Sequence, residues 1–186
     1  IKVICTADIV LSNICIDNLS GFDIINNLIG YTDNNLSCFF IQPDTLWCGY
    51  VYTSYGNGTK AFEGAQKVSY KLGYNALKAN TLRTRTTETD RIEVRYSKKL
   101  PDGNSISERS DAFKKFARTH SKVLNQIRSA PALKQIANEK AYRENFEGYE
   151  GDITAFLQPY AIPGYSAYIT EDHYSAYNDS YLIESV

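Results

Sequence analysis

The chain has 186 residues, 43% of them hydrophobic and 22% charged, and a net charge of −1. That is enough for one large domain or two small ones around a sizeable core, and the near-zero charge gives no reason to expect a nucleic-acid or anionic-membrane partner. No apolar run approaches the ~18 residues that span a bilayer and no signal-peptide pattern opens the chain, so membrane insertion is not expected. The charge is unevenly spread. Gly148 to Val186 holds six carboxylates and no Lys or Arg, a charge of −6, which leaves +5 on the first 147 residues. The chain has no methionine, starts in a strand-like run and stops in another at Ile183-Glu184-Ser185-Val186, and reads as an excised piece of a longer protein.

Residues 1 to 11 alternate, with Ile1, Val3, Cys5, Ala7, Ile9 and Leu11 on one side and Lys2, Thr6 and Asp8 on the other, the period of a strand. Ser20-Gly21-Phe22-Asp23 has capping-box form, and an apolar face of Phe22, Ile25, Leu28 and Ile29 closed by Gly30 predicts a short helix. Leu36 to Ile41, the turn Gln42-Pro43-Asp44-Thr45, and Leu46 to Tyr52 read as a hairpin that Gly56-Asn57-Gly58 ends. Val68, Tyr70, Leu72 and Tyr74 alternate again, as do Ile92, Val94 and Tyr96, and Pro101-Asp102-Gly103 is a strong turn signal.

From about Ser107 to Phe146 the period lengthens. Phe113, Phe116, Ala117, His120, Leu124 and Ile127 fall on one helical stripe, although a strand with its return over Lys115 to Ser121 fits the same residues. Ser129 caps a further helix with Pro131 in its first turn and Leu133, Ile136, Ala137 and Lys140 along it. The last 39 residues then hold seven of the fifteen tyrosines, eight if Tyr142 is counted. Here Ile153, Ala155 and Leu157 alternate with Thr154 and Phe156 until Pro159 stops the run. Pro163-Gly164 makes a turn in which Pro presets φ and Gly accepts a positive φ. Tyr165, Ala167 and Ile169 alternate with Ser166, Tyr168 and Thr170, and Asn178-Asp179-Ser180 marks a turn before the last strand. The shared parity on either side of the Pro159 to Gly164 turn predicts that Ile153, Ala155 and Leu157 pack with Tyr165, Ala167 and Ile169 across antiparallel strands.

Cys5, Cys15, Cys38 and Cys48 are spaced ten, twenty-three and ten apart. Structural zinc sites use short knuckles that bring two ligands from one tight turn, which these gaps do not provide. Reduced cysteines serving as small core residues are the simplest reading, with disulfides and metal as the alternatives; the absence of a secretory signal agrees with a reducing compartment. No metal or cofactor is expected. Glu171-Asp172-His173 offers acid–base groups, but neighbours in a loop point apart, and His120 sits on an apolar stripe; both histidines read as structural. There is no G-x-S-x-G, H-E-x-x-H or P-loop, so no catalytic residue is expected and the chain is not read as an enzyme. Arg83, Arg85, Arg91, Arg95, Lys98 and Lys99 are offset by Glu88, Asp90 and Glu93 and read as a ladder of cross-strand ion pairs rather than a phosphate site.

Tyr149-x-Gly151-x-Ile153-Thr154-x-Phe156-Leu157-x-Pro159, then Pro163-Gly164 opening a strand, then Tyr174, Tyr177 and Tyr181-x-Ile183-x-x-Val186 resemble the final strands of phage tail baseplate hub proteins of the late-control-D type. Leu133 to Gly151 is similar to the helix that feeds them. The resemblance covers about the last 55 residues well and the first hundred only in the order of elements.

The resemblance implies an α+β, mainly β fold: a small antiparallel β-barrel with a connecting helical segment and a preceding α/β subdomain. We place the α/β subdomain (strand, short helix, hairpin) at residues 1–60 and the barrel domain at 61–186, with a helical insertion at about 107–146. It further implies a homotrimer whose ring joins the tail tube to the central spike, assembled in the bacterial cytoplasm and then carried in the virion tail or injection apparatus. Tyr174, Tyr177 and Tyr181 become assembly contacts, and Pro159, Pro163 and Gly164 form a structural turn. The rival reading is an OB-like β domain that binds single-stranded nucleic acid or carbohydrate. Its base-stacking aromatics are present, but the segment densest in tyrosine has no cation to hold phosphates.

Overall fold

The computed structural model describes every residue except 13, 79–80, 87–90, 112–117 and 174. In chain order the elements are β1 (Lys2–Cys5), α1 (Gly21–Tyr31), β2 (Ser37–Gln42), β3 (Thr45–Gly49), α2 (Val51–Gly56), β4 (Lys67–Lys71), β5 (Ala76–Lys78), β6 (Arg83–Arg85) and β7 (Ile92–Lys99). There follow β8 (Ser105–Arg109), β9 (Arg118–Val123), α3 (Ala130–Glu144), β10 (Gly148–Glu150), β11 (Thr154–Ala155), β12 (Ser166–Thr170), a 3₁₀ turn at Ser175–Tyr177, and β13 (Asp179–Leu182). The fold is α+β and mainly β.

The chain divides into two compact units, Ile1–Thr53 with Thr87–Asn145, and Ser54–Thr86 with Phe146–Val186. Each unit is therefore built from two separated stretches. The division expected at residue 60 falls inside the second unit, and the stretch expected as an insertion, 107–146, falls almost wholly in the first. Turn signals mark where an element ends but not whether the chain later returns to the same core.

In the first unit, β1 pairs parallel to β3 and β2 antiparallel to it, while β7 carries β8 antiparallel and β9 parallel. The capping box forms as expected: Ser20 accepts from the Asp23 N–H and Asp23 from the Ser20 N–H. The helix runs past Gly30 to Tyr31, and Asp33 and Asn34 take the left-handed conformation after it. Phe22, expected on the buried face, is 73% exposed, whereas Ile25 and Leu28 pack on the core of Ala7, Leu36, Leu46 and Cys48. In β1, Val3 is exposed and Ile4 half-buried, the opposite of the expected parity. Apolar residues stand on both faces of Ile1 to Cys5, so alternation alone does not choose between them.

Ser129 caps α3, with Pro131 in its first turn. Its Ala132, Leu133, Ile136, Ala137 and Ala141 pack on Val94 and Tyr96 of β7 with Leu124 and Ile127. The helical stripe predicted through 113–127 is corrected. Arg118–Val123 is strand β9, with His120 opposite Val94, and Phe113, Phe116 and Ala117 lie outside the described residues. Pairing satisfies the backbone of the buried central strand β7, and that demand outweighs a stripe read from side chains alone.

In the second unit, β12 lies between β4, parallel, and β13, antiparallel, and two short ribbons pair β6 with β10 and β5 with β11. Among the described residues the strands form sheets of two or three and no closed barrel, and all three three-stranded sheets of the chain mix parallel with antiparallel pairs. The core is Val68, Tyr70, Ala76, Ala161, Ala167 and Ile169, with Ile153, Ala155 and Tyr165 packed against it. The expected core face is corrected at Leu157, which is 87% exposed. β11 pairs with β5 rather than with β12, its register shifts at Thr154/Ala155, and it ends there, so the parity of Ile153 does not carry on to Leu157.

Candidate functional site

The tyrosine-rich block is organised by its turn. The Tyr165 N–H donates to Ile162 O at 3.2 Å across Pro163 and Gly164, and Gly164 has φ +84°, the positive value that the third residue of a type II turn requires. Gly164 N–H donates to Ile183 O at 2.8 Å and Ile183 N–H to Tyr165 O at 2.9 Å, so the turn is tied to the end of β13. Pro159, four residues earlier in the chain than Pro163, follows a cis peptide bond, and its carbonyl accepts from the Tyr70 hydroxyl at 3.0 Å. Of the three residues expected as a structural turn, Pro163 and Gly164 lie at its two central positions. Gly151 directly follows β10: its φ is +148°, and a Cβ there would lie 2.4 Å from Thr81 O. Thr81 and Asp152 hydrogen bond reciprocally beside it.

Tyr177 ends the 3₁₀ turn with its ring edge-on to Tyr149 at 4.9 Å. Tyr181 on β13 donates its hydroxyl to Tyr177 O at 2.9 Å and packs, half-buried, on the core of the unit. Burial, with the charge of Asp179 nearby, pushes its phenol up to about 12. Tyr55 donates to Ser180 O, and burial raises its phenol as well. Tyr177 and Tyr181 are therefore linked to each other and brace this loop from within, and Tyr174 lies outside the described residues. The outward apolar surface of the unit is elsewhere. Tyr74, Leu77, Phe156, Leu157 and Tyr160 are all exposed, and Phe156 N–H donates to Asn75 O where β11 meets the β4–β5 turn. Sequence reasoning missed this group because period-two alternation placed Leu157 inside.

The acid–base trio is dispersed. Asp172 pairs with Lys71 at 2.9 Å, the Glu171 N–H donates to Asn178 Oδ1 at 2.6 Å, and His173 is exposed. The cation ladder forms in part. Arg83 and Arg85 both reach Glu150 across the β6–β10 ribbon, at 2.9 and 3.3 Å, and Glu93 faces Arg95 and Arg109 at 3.5 and 3.9 Å; Glu88 and Asp90 lie outside the described residues. The four cysteines are free, with Cys5 and Cys15 exposed, Cys38 half-buried and Cys48 buried, so core packing accounts for only part of the set. Among the described residues no group of three or more His, Cys, Asp or Glu is arranged to hold a metal ion, and no helix is long and apolar enough to cross a membrane.

Two buried carboxylates of the first unit escaped the sequence reading. Asp33, just past α1, accepts from Tyr96 Oη at 2.8 Å and from Lys122 Nζ, with His120 Nε2 at 3.3 Å and Lys140 Nζ at 3.7 Å. Burial by itself raises an acid, but the bonds from Lys122 and Tyr96 and the charges of Lys140 and Lys122 hold Asp33 below the usual carboxylate range. His120 is thus part of an ion cluster on a strand, edge-on to Tyr96, not a residue of a helical stripe. Glu139, fully buried on α3, accepts the backbone N–H groups of Tyr52 and Thr53 at 2.9 and 2.7 Å and the Thr53 hydroxyl at 2.7 Å. Its position, three residues after Ile136 on the buried stripe, was the available signal.

No protein-family model matches the chain, and no curated protein matches it. Among solved structures, the chain is similar to a tail protein from Neisseria meningitidis, at 13% identity and a TM-score of 0.45. The match covers 97% of this chain, which spans about half of that protein, 55% of its length.

Proposed function

We propose that this chain is a structural part of a phage tail or tail-like injection baseplate: a portion of the hub ring that joins the tail tube to the central spike, with no catalytic residue or cofactor of its own. The observation that carries the reading is the order and geometry of the last third of the chain. Helix α3 leads into the Tyr149-x-Gly151 ribbon, the Pro163-Gly164 turn opens β12, and an acidic, aromatic loop precedes β13, in the sequence of elements that the hub resemblance implies. Gly151 and Gly164 stand where the backbone has a positive φ, so the Gly and Pro positions of the pattern have a physical reason to be kept together.

The function is mechanical. Copies of the chain assemble as a trimer, hold register between tube and spike, and let the contents of the tube pass once the spike leaves. A terminal block with six carboxylates and no cation suits a wall that DNA must slide past, since it repels phosphates. Tyr174, Tyr177 and Tyr181 belong at or near a subunit or tube contact. The test is the solution mass of the full-length protein by sedimentation, together with tail assembly in the complete system. A trimer that incorporates into tails supports the hub; a monomer that retards single-stranded DNA favours the OB-like alternative and overturns it.

A further inference from the structure

Three of the four cysteines meet in one row across the first sheet. Cys48, on the central strand β3, is directly opposite Cys38 of β2 in the antiparallel pair and directly opposite Cys5 of β1 in the parallel pair. Residues in register on neighbouring strands present their side chains on the same face, so the row is a ladder of thiols. Opposed residues of antiparallel strands have Cα atoms about 4.5–5.5 Å apart, inside the about 4.4–6.8 Å range that a disulfide spans. The thiols are not equivalent. Cys5 is exposed and turns its sulfur to Ala7 O at 3.4 Å, while Cys38 is half-buried and Cys48 buried beside it.

We propose that Cys38 and Cys48 form a thiol–disulfide site, a pair that closes reversibly into a cross-strand bridge when the chain meets an oxidised small-molecule disulfide. Cys38 is the sulfur the reagent can reach; it displaces one thiol of the reagent and forms a mixed disulfide. Cys48 then attacks the Cys38 sulfur, making the Cys38–Cys48 bond and releasing the second thiol. Two protein thiols are oxidised, the reagent disulfide is reduced to two thiols, and the two protons lost by the protein are taken up by them. Contact with Cys48 and burial raise the Cys38 thiol, so Cys38 gives up its proton only as it attacks the reagent, and the test reads the equilibrium rather than a rate.

The test equilibrates the chain under native conditions in a glutathione buffer of graded oxidised-to-reduced ratio, traps free thiols with an alkylating reagent, and maps the modified cysteines by mass spectrometry. Cys38 and Cys48 should lose alkylation together and in equal proportion as the ratio rises, with Cys5 and Cys15 still labelled and full recovery on adding a dithiol reductant. Cys5→Ser should leave the transition unchanged, and Cys38→Ser should abolish it. Mapping on the unsubstituted chain keeps the test decisive even if a serine at these positions perturbs the sheet. A bridge between Cys5 and Cys48 overturns the proposal. So does a chain whose Cys38 and Cys48 remain alkylated at every ratio, or one that forms only mixed disulfides with glutathione.

Discussion

Replacing Glu139 by Ala tests how the first unit holds the start of α2. The carboxylate is fully buried and accepts three hydrogen bonds, from the Tyr52 N–H, the Thr53 N–H and the Thr53 hydroxyl. A short helix has no other intrahelical partner for its first N–H groups, so the side chain of α3 caps α2. Stranding a buried donor costs about 1–3 kcal/mol. Tyr52 and Thr53 are only half-buried, so water recovers part of this, and about 1 kcal/mol for each of the three donors gives ~3 kcal/mol, at the low end for removing one side of a buried charged contact. Trp47 is the one tryptophan, is 1% exposed, and packs 5.0 Å from the Phe39 ring in the same unit, so its fluorescence reports urea unfolding of that unit. With a slope of about 2 kcal/mol per molar, the midpoint should fall by about 1.5 M. Glu139→Gln keeps one acceptor and should lose about half as much. Burial outweighs the bonds from Thr53, Tyr52 and Val51 and raises the Glu139 pKa above its ordinary 4.5. The folded state therefore holds that proton more tightly than the unfolded state, and the sign follows: the stability of the parent relative to Glu139→Gln should increase as pH falls through the raised value and level off below 4.5. An Ala variant within about 0.5 kcal/mol of the parent at neutral pH, a typical effect for a surface change, would refute the capping role.

Two aspartate substitutions separate the observed core of the second unit from the one alternation suggests: Ile169→Asp should cost ~3 kcal/mol or more, while Leu157→Asp should stay within about 0.5 kcal/mol, both read by thermal melting. Gly151→Ala should cost more than the ~1 kcal/mol of a positive-φ strain alone, because its Cβ would meet Thr81 O at 2.4 Å, and amide exchange should accelerate first in the β6–β10 ribbon. Asp33 has a depressed pKa, so its contribution is complete above its unfolded value of 3.8 and lost as pH falls through the folded one; the gap in stability between parent and Asp33→Asn should be flat above about pH 5 and close below pH 3.8.

Local chemistry was legible and long-range pairing was not. Ser20 with Asp23, Ser129 with Pro131, the turn between β2 and β3, and the Pro163-Gly164 turn each depend on residues within a few positions of one another and form as read, whereas the second hairpin strand, expected to run to Tyr52, stops at Gly49 and gives way to helix α2 over Val51–Gly56. The parallel partners β1 with β3, β4 with β12 and β7 with β9 depend on surfaces that meet only after folding, and period two records which side of a strand is apolar without recording its neighbour. Asp33 and Glu139 were hidden for a related reason. A carboxylate in a loop or on a helix looks solvated until the lysines, tyrosine and helix end that receive it are in place. The cysteines show the same limit: their spacing excluded a knuckle but could not reveal that Cys5, Cys48 and Cys38 share one row.

The tyrosines of the last block present a sharper version of that problem, because one residue can serve the fold and the assembly together. Removing Tyr174, Tyr177 and Tyr181 all at once confounds the two. Tyr181 packs on the core and Tyr177 stacks edge-on to Tyr149, so the triple Ala variant loses stability whether or not these residues touch another subunit. Tyr181→Phe keeps the buried ring and removes only the hydroxyl bond to Tyr177 O, about 1 kcal/mol. Tyr177→Ala gives up an aromatic pair of about 0.5–1.5 kcal/mol beyond its burial. Both losses are small enough to leave the unit folded. An aromatic ring at an interface centre often contributes ~2 kcal/mol or more to association. If Tyr177 is such a contact, Tyr177→Ala should shift the trimer–monomer equilibrium by about 30-fold per interface, since 1.4 kcal/mol is a factor of ten, in addition to the modest fall in the monomer's melting temperature that the lost aromatic pair causes by itself. Sedimentation across a dilution series measures the first quantity and calorimetry the second. Unchanged self-association at a lowered melting temperature would assign Tyr177 to the fold alone and leave the hub reading to rest on its Gly and Pro geometry.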